Sequence, residues 1–202
     1  MASVYDLKPK FQNLLRPLCS ALARWGVTAN QVTVAAALLS IAEGAAIFFT
    51  RGAAWSLLLL PAVLFLRMAL NAIDGMLARE FGQKSRLGAI LNELGDVVSD
   101  SALYLPFAVV PGVNAALMVT VVVLAIFAEM AGVVAIQIGA ARRYDGPMGK
   151  SDRALWLGLL AILLVVVPPP ASFSSVYLAV IAVMEIWTIS NRAISALKEI
   201  AL

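Results

Sequence analysis

In the stretch NAIDGMLAREFGQKSRLGAILNELGD, from Asn71 to Asp96, oxygen-bearing side chains recur at helical steps. Asn71 and Asp74 are three residues apart, and Gly88, Asn92, Asp96 and Asp100 follow at intervals of four. On helices, such spacings place each set along one face, so two oxygen-rich faces can meet across the connecting loop. Carboxylate and amide oxygens suit Mg²⁺ or Mn²⁺, hard cations that keep several waters and bind substrate phosphates. The chain has no histidine and a single cysteine, Cys19. The soft and nitrogen ligands of zinc, copper and iron are therefore scarce, and the commonest general base is missing. Gly75 and Gly88 would let a bulky ligand approach the backbone, and the Arg79 guanidinium can grip a phosphate with two donors.

These residues must be positioned by elements made for a bilayer. Of the 202 residues 62% are hydrophobic and only 13% charged, well above the roughly 45–50% apolar content of soluble domains. Six apolar stretches, at about 31–50, 54–73, 87–111, 114–140, 154–169 and 174–195, each approach the roughly 20 residues a membrane-crossing helix requires. The expected fold is an all-α integral membrane protein with six transmembrane helices, preceded by an N-terminal amphipathic interfacial helix. A single domain over 1–202 is expected, with an interfacial region at 1–26 and a bundle at 27–202, because no linker or repeat interrupts the apolar runs. The first residues lack the uninterrupted apolar core of a signal peptide and are expected to stay on the mature protein. There, Val4, Leu7, Phe11, Leu14, Leu18 and Leu22 form an apolar stripe of the kind seen in helices lying in the headgroup plane. Pro9 and Pro17 are expected to break this helix into pieces, and Cys19 reads as a small apolar residue on it. Turn chemistry separates the spans at TRGAA, VVPGVN and VPPPASFSS.

Lysine and arginine gather on the cytoplasmic side of membrane proteins. Lys8, Lys10, Arg16 and Arg24 precede the first stretch, and Arg79, Lys84 and Arg86 lie between the second and third. Arg142, Arg143, Lys150 and Arg153 lie between the fourth and fifth, and Arg192 and Lys198 are near the C-terminus. Both termini and the polar motif are thus expected on the cytoplasmic face of a multi-pass protein. The net charge of +3 favours anionic headgroups or phosphorylated ligands. No aromatics interleave with the cations, so no nucleic acid is expected as a partner.

The motif resembles the signature of the CDP-alcohol phosphotransferases (CDP-alcohol phosphatidyltransferases). That pattern runs Asp, two residues, Asp-Gly, two residues, Ala-Arg, eight residues, Gly, three residues, Asp, three residues, Asp. Asp74-Gly75, Ala78-Arg79, Gly88 and Asp96 fall on it with the spacing intact, whereas Asn71 and Asn92 stand at its first and third aspartates. The resemblance implies a bacterial inner-membrane enzyme of phospholipid biosynthesis. It would pass a phosphatidyl-type group from CDP-diacylglycerol to an alcohol or phosphorylated alcohol, release CMP, use Mg²⁺ or Mn²⁺, and work among membrane lipids as a homodimer. It further implies Asp74 and Asp96 as metal ligands with Asn71 and Asn92 at the remaining positions, and Asp96 as the catalytic base. Gly75, Ala78, Arg79 and Gly88 would line the CDP site, with Asn30 of the GVTAN segment beside it. Each lost carboxylate removes about 8 kcal/mol of gross attraction to a divalent ion about 4 Å away at an effective dielectric near 20, before desolvation offsets much of it. A relative that binds the CDP-lipid without turnover is the alternative. A small ion or proton transporter built on Glu43, Glu129 and Glu185 would explain buried acids but not the motif spacing.

In ARRYDGPMGKSDRA the cations Arg142, Arg143, Lys150 and Arg153 could hold the phosphate of a phosphorylated acceptor, with topology and lipid headgroups as the competing use. Arg67, one turn before Asn71, reads as a charge partner for Asp100 or a phosphate contact. Glu43, Glu129 and Glu185 each sit in a different stretch and read as making inter-helix hydrogen bonds or water contacts. Small residues in the fourth stretch, Ala131, Gly132 and Gly139, permit close packing between subunits.

Overall fold

The computed structural model describes residues 4–166 and 171–201, with side chains from Phe11 to Val166 and from Ser172 to Ala201. The side chains of Val4, Leu7, Lys8 and Lys10, and residues 167–170 at the end of the fifth stretch, lie outside the described residues. Seven α-helices are described: α1 Val4–Arg24, α2 Ala29–Thr50, α3 Ala54–Glu80, α4 Arg86–Tyr104, α5 Ala115–Val134, α6 Lys150–Val166 and α7 Ala171–Ile200. No strand occurs among the described residues.

Helices α2, α3, α7 and α5 with its 3-10 extension to Ile138 are long and apolar enough to cross a membrane. Helix α4 also lies on an expected span but carries the motif's polar residues, and α6 has 17 described residues. The surface explains why apolarity runs around the helices instead of along one stripe. On α2 alone Val34, Leu38, Ile41, Phe48 and Phe49 are exposed while Val32, Ala36 and Ile47 are buried. Apolar side chains on both faces are what a lipid solvent selects.

Two compact units are formed, one from the residues up to Ala42 with Ala62–Ser99, the other from Glu43–Pro61 with the chain from Asp100 onward. In the first, Cys19 of α1, Ala29 and Val32 of α2, and Ile73, Met76 and Leu77 of α3 make a buried core joined by Leu15, Leu22 and Leu70. This packing corrects the expected break in α1. One helix runs through Pro9 and Pro17, although an interior proline costs about 3 kcal/mol. Packing of Cys19, Leu15 and Leu22 against α2 and α3 offsets part of that cost. The stripe seen in the sequence divides between two environments: Leu22 packs on this core, whereas Leu14 and Leu18 are exposed.

In the second unit α5 packs along α7, with Met118, Val121 and Val122 buried on α5 and Leu178 and Ile181 on α7. Asn114 caps α5 by accepting from Leu117 N at 3.1 Å, as expected of a polar N-cap. Gly132 is used inside the chain. Its carbonyl accepts from Arg143 N at 3.1 Å, and a Cβ there would lie 2.6 Å from the Arg143 carbonyl oxygen. Gly139 ends the 3-10 turn after α5 at φ +91°, a left-handed conformation suited to glycine. Two of the three small residues noted for subunit packing thus have roles within the chain.

Candidate active site

The motif occupies the end of α3, the turn at 81–85 and the start of α4, all within the first unit. Helix α3 continues seven residues beyond the apolar stretch that ends at 73, so Asn71, Asp74, Gly75, Ala78 and Arg79 share one unbroken helix. Ser85 caps α4, its Oγ accepting from Gly88 N at 2.9 Å. Helix α2 begins with a reciprocal cap. Gln31 N donates to Thr28 Oγ1 at 3.2 Å and Thr28 N donates to Gln31 Oε1 at 2.9 Å, which is the Thr-x-x-Gln capping box. Gln83 fastens the motif loop to this helix start, accepting from Ala29 N at 2.7 Å and donating to the Val27 carbonyl at 3.4 Å.

These caps bring the candidate nucleotide residues together in two pairs. A Cβ on Gly88 would stand 2.8 Å from Asn30 Oδ1 and 2.9 Å from Ser85 Oγ, so only glycine lets α4 approach Asn30 this closely without a shift. The Arg79 guanidinium folds back over Gly75, where a Cβ would lie 3.0 Å from its Nη2. Arg79 is exposed and Ala78 partly buried. Thr33, Gln83 and Ser85 were not singled out in the sequence. The box Thr28-Ala29-Asn30-Gln31 was a readable signal for the start of α2, whereas Thr33 and Gln83 carry no local signature.

Asp74 is buried and accepts from Thr33 Oγ1 at 2.8 Å. Asp96 is partly buried. Its Oδ1 accepts from Asn71 Nδ2 at 3.4 Å and lies 3.7 Å from Nη2 of the buried Arg67, which also donates to the Asp96 carbonyl at 3.3 Å. Asn92 is exposed on α4, one turn before Asp96. The structure therefore joins Asn71, Asp96 and Arg67, and it joins Asp74 to Thr33. Among the described residues no three His, Cys, Asp or Glu side chains gather as a metal cluster. Two carboxylates and two amides, all hard-oxygen donors, nevertheless fit Mg²⁺ or Mn²⁺ if a ligand's phosphate oxygens complete the shell.

The basic segment belongs to the second unit, where its arginines meet carboxylates. Arg153 is fully buried. It donates to Asp100 Oδ2 at 2.9 and 3.1 Å, to Glu129 Oε1 at 2.8 Å, to Glu185 Oε1 at 3.5 Å and to the Met148 carbonyl at 3.3 Å. Arg142 reaches Glu129 Oε2 at 3.2 Å and covers the Tyr144 ring at 4.3 Å. Arg143 forks onto Asp145 at 2.8 and 2.9 Å and reaches Glu199 at 2.7 Å. That fork holds the Asp145 carboxyl below its usual pKa. Lys150 opens α6, partly buried. Glu129 and Glu185 do make inter-helix bonds, through Arg153 of α6.

The fold and the motif together define a multi-pass helical membrane protein with an oxygen-rich site at the ends of two adjacent helices. The chain belongs to the CDP-alcohol phosphatidyltransferase family, whose sequence model matches residues 26–189. It is 46% identical over 195 residues, 96% of either chain, to Inner membrane protein YnbA of Escherichia coli (strain K12). It is 34% identical over 99 residues to the phosphatidylinositol phosphate synthase of Streptomyces avermitilis, a match that covers 48% of this chain and 38% of that protein. Two crystal structures of the Mycobacterium tuberculosis phosphatidylinositol phosphate synthase (PgsA1) share the fold at 22% identity and a TM-score of 0.74. The one with CDP-DAG bound is covered to 92% by 89% of this chain, and the one in complex with manganese and citrate to 88% by 90%.

Proposed function

We propose that this chain transfers a phosphatidyl-type group from CDP-diacylglycerol to an alcohol and releases CMP, in phospholipid biosynthesis at a bacterial inner membrane. The observation that carries this reading is the motif in its folded setting. Asp74-Gly75, Ala78-Arg79, Gly88 and Asp96 keep the family spacing, and the α2 start with Asn30 is held against Gly88. In the proposed reaction the alcohol oxygen attacks the lipid-side phosphorus. The bond from that phosphorus to the bridging oxygen breaks, CMP departs with the electron pair, and Asp96 takes the hydroxyl proton. Arg67 and Asn71 hold the Asp96 carboxylate in place. Gly75, Ala78, Arg79, Gly88 and Asn30 bind and orient the CDP group. Mg²⁺ or Mn²⁺, held by Asp74 and Asp96 with the amide oxygens of Asn71 and Asn92, supplies neutralising charge to the pyrophosphate. The six-span topology with α1 at the interface, the cytoplasmic termini and the homodimer belong to the same proposal, supported by the distribution of cations and by the family.

A second reading, binding of the CDP-lipid without turnover, is favoured by one observation: amides stand at two motif carboxylate positions, Asn71 and Asn92. Purified protein incubated with CDP-diacylglycerol, Mn²⁺ and a panel of alcohols, each also supplied as its phosphate, separates the two. CMP release with a new lipid in the mass spectrum is expected. Nucleotide-dependent thermal stabilisation without CMP release would leave only the binding role.

A further inference from the structure

In the turn at 81–85 the side chain of Gln83 faces inward. Phe81, Gly82, Lys84 and Ser85 are exposed, whereas Gln83 is partly buried and uses both ends of its amide. Its Oε1 accepts from Ala29 N at 2.7 Å, and its Nε2 donates to the Val27 carbonyl at 3.4 Å. One side chain thus holds the backbone on either side of Thr28. Helix α2 does not need these bonds in order to begin, because Thr28 and Gln31 already close a reciprocal cap on its first turn. What Gln83 adds is the position of that turn relative to the motif.

Asn30 follows directly after Ala29, and α4 approaches it at Gly88, where a Cβ would stand 2.8 Å from Asn30 Oδ1. Glycine makes room for this approach but has no side chain with which to hold it. Two turns along α4, a Cβ at Gly95 would stand 3.4 Å from Thr33 Cγ2, so α4 passes α2 at a second glycine as well. The grip on the first turns of α2 comes from polar contacts: Asp74 on Thr33, one turn further on, and Gln83 on the residue next to Asn30.

We propose that Gln83 is a positioning residue of the nucleotide site, whose two bonds to the backbone around Thr28 set Asn30 against Gly88 for the CDP group. The inference rests on the reading above that Asn30 and Gly88 border that group; Gln83 acts through Asn30. When the first turn of α2 is free to shift, the competent arrangement is populated for only part of the time, and the apparent affinity falls with that fraction. Glutamine meets the requirement without charge. Glutamate has no donor for the Val27 carbonyl and would bring a negative charge toward a pyrophosphate, and asparagine carries the same amide on a chain one methylene shorter.

Calorimetry of CDP binding to the detergent-solubilised protein in Mn²⁺ tests the proposal. Gln83→Met keeps the length of the side chain and removes both bonds, and it should raise the Kd for CDP at least about tenfold. Gln83→Asn should move the Kd in the same direction, and it carries the test should Gln83→Met fail to fold. A double-variant cycle with Asn30→Ala separates positioning from a general structural role. If Gln83 acts through Asn30, adding Gln83→Met to Asn30→Ala should weaken CDP binding by less than about threefold. Equal effects in the two backgrounds overturn the proposal, as does a wild-type Kd in the folded variants, and either result leaves the CDP reading standing. Failure of both Gln83 variants to give a cooperative melt without nucleotide also overturns it, because the two bonds would then hold the fold itself. A wild-type protein that binds no CDP refutes the CDP reading and the positioning role with it.

Discussion

Replacing Asn71 by Asp would put a second carboxylate where an amide now donates to Asp96 Oδ1 at 3.4 Å. Two unit charges at that separation repel with about 5 kcal/mol gross at an effective dielectric near 20. Arg67, 3.7 Å from the same oxygen, offsets part of this. Asp96 is 19% exposed, so water and side-chain adjustment reduce the remainder to about 1–2 kcal/mol. In the metal-free protein Asn71→Asp should therefore lower Tm by about 2–8 °C, the shift such a loss produces in a chain of this size. A divalent cation reverses the sign, because it attracts both carboxylates. Mn²⁺ should restore the variant's Tm and bind it more tightly than it binds wild type, whose amides leave most of the compensation to a bound ligand's pyrophosphate. Thermal melts in detergent with chelator or Mn²⁺, and calorimetry of Mn²⁺ binding with and without CDP, measure both effects. An Asn71→Asp protein as stable as wild type in chelator would refute the reasoning about Asp96. So would tight binding of two Mn²⁺ ions by the nucleotide-free wild type. Turnover of the Asn71→Asp, Asn92→Asp double variant then distinguishes the origin of the amides: a gain marks a decayed metal site, a loss marks amides suited to this protein's own substrate.

Asp96→Asn and Asp74→Asn should each cut CMP release by about a hundredfold or more, the scale of losing a general base or a metal-positioning group; normal turnover by folded Asp96→Asn would remove it from the base role. Thr33→Val keeps the side-chain volume but deletes the donor to buried Asp74, and a loss of about 1–3 kcal/mol in unfolding free energy is expected at neutral pH. An unchanged melting curve would show that Thr33 does not hold the carboxylate. Arg143 lowers the Asp145 pKa, so the contribution of this pair is present above the unfolded-state value of about 4 and fades as pH falls through the lower folded value. Acid melts of Arg143→Ala should accordingly show a shallower loss of stability below about pH 4 than wild type, and parallel curves would exclude the pair from the acid response.

Much of the architecture was legible because a bilayer imposes simple rules on a chain. Apolar stretches of membrane length, cations between them and glycine or asparagine in the turns placed six of the helices near their observed positions. The motif residues were legible for a related reason: Asp74, Gly75, Ala78, Arg79, Gly88 and Asp96 lie on two consecutive helices, so spacing along the chain determines which faces they share. The course of α1 was not legible. Local propensity at Pro9 and Pro17 argued for a break, whereas in the fold Leu15, Cys19 and Leu22 pack against α2 and α3 from one unbroken helix. Thr33 and Gln83 were missed because their partners, Asp74 and Ala29, lie 41 and 54 residues away, and no periodicity reports a hydrogen bond over that separation. The arginines of the second unit show the limit most clearly. Composition identifies Arg142, Arg153 and Arg192 as cations on one side of a membrane, but whether they face solvent, lipid headgroups or a substrate depends on where distant acids come to rest. Packing of α5, α6 and α7 brings Glu129 and Glu185 to Arg153, and in a medium with little water a carboxylate within 3 Å decides what a guanidinium is free to bind.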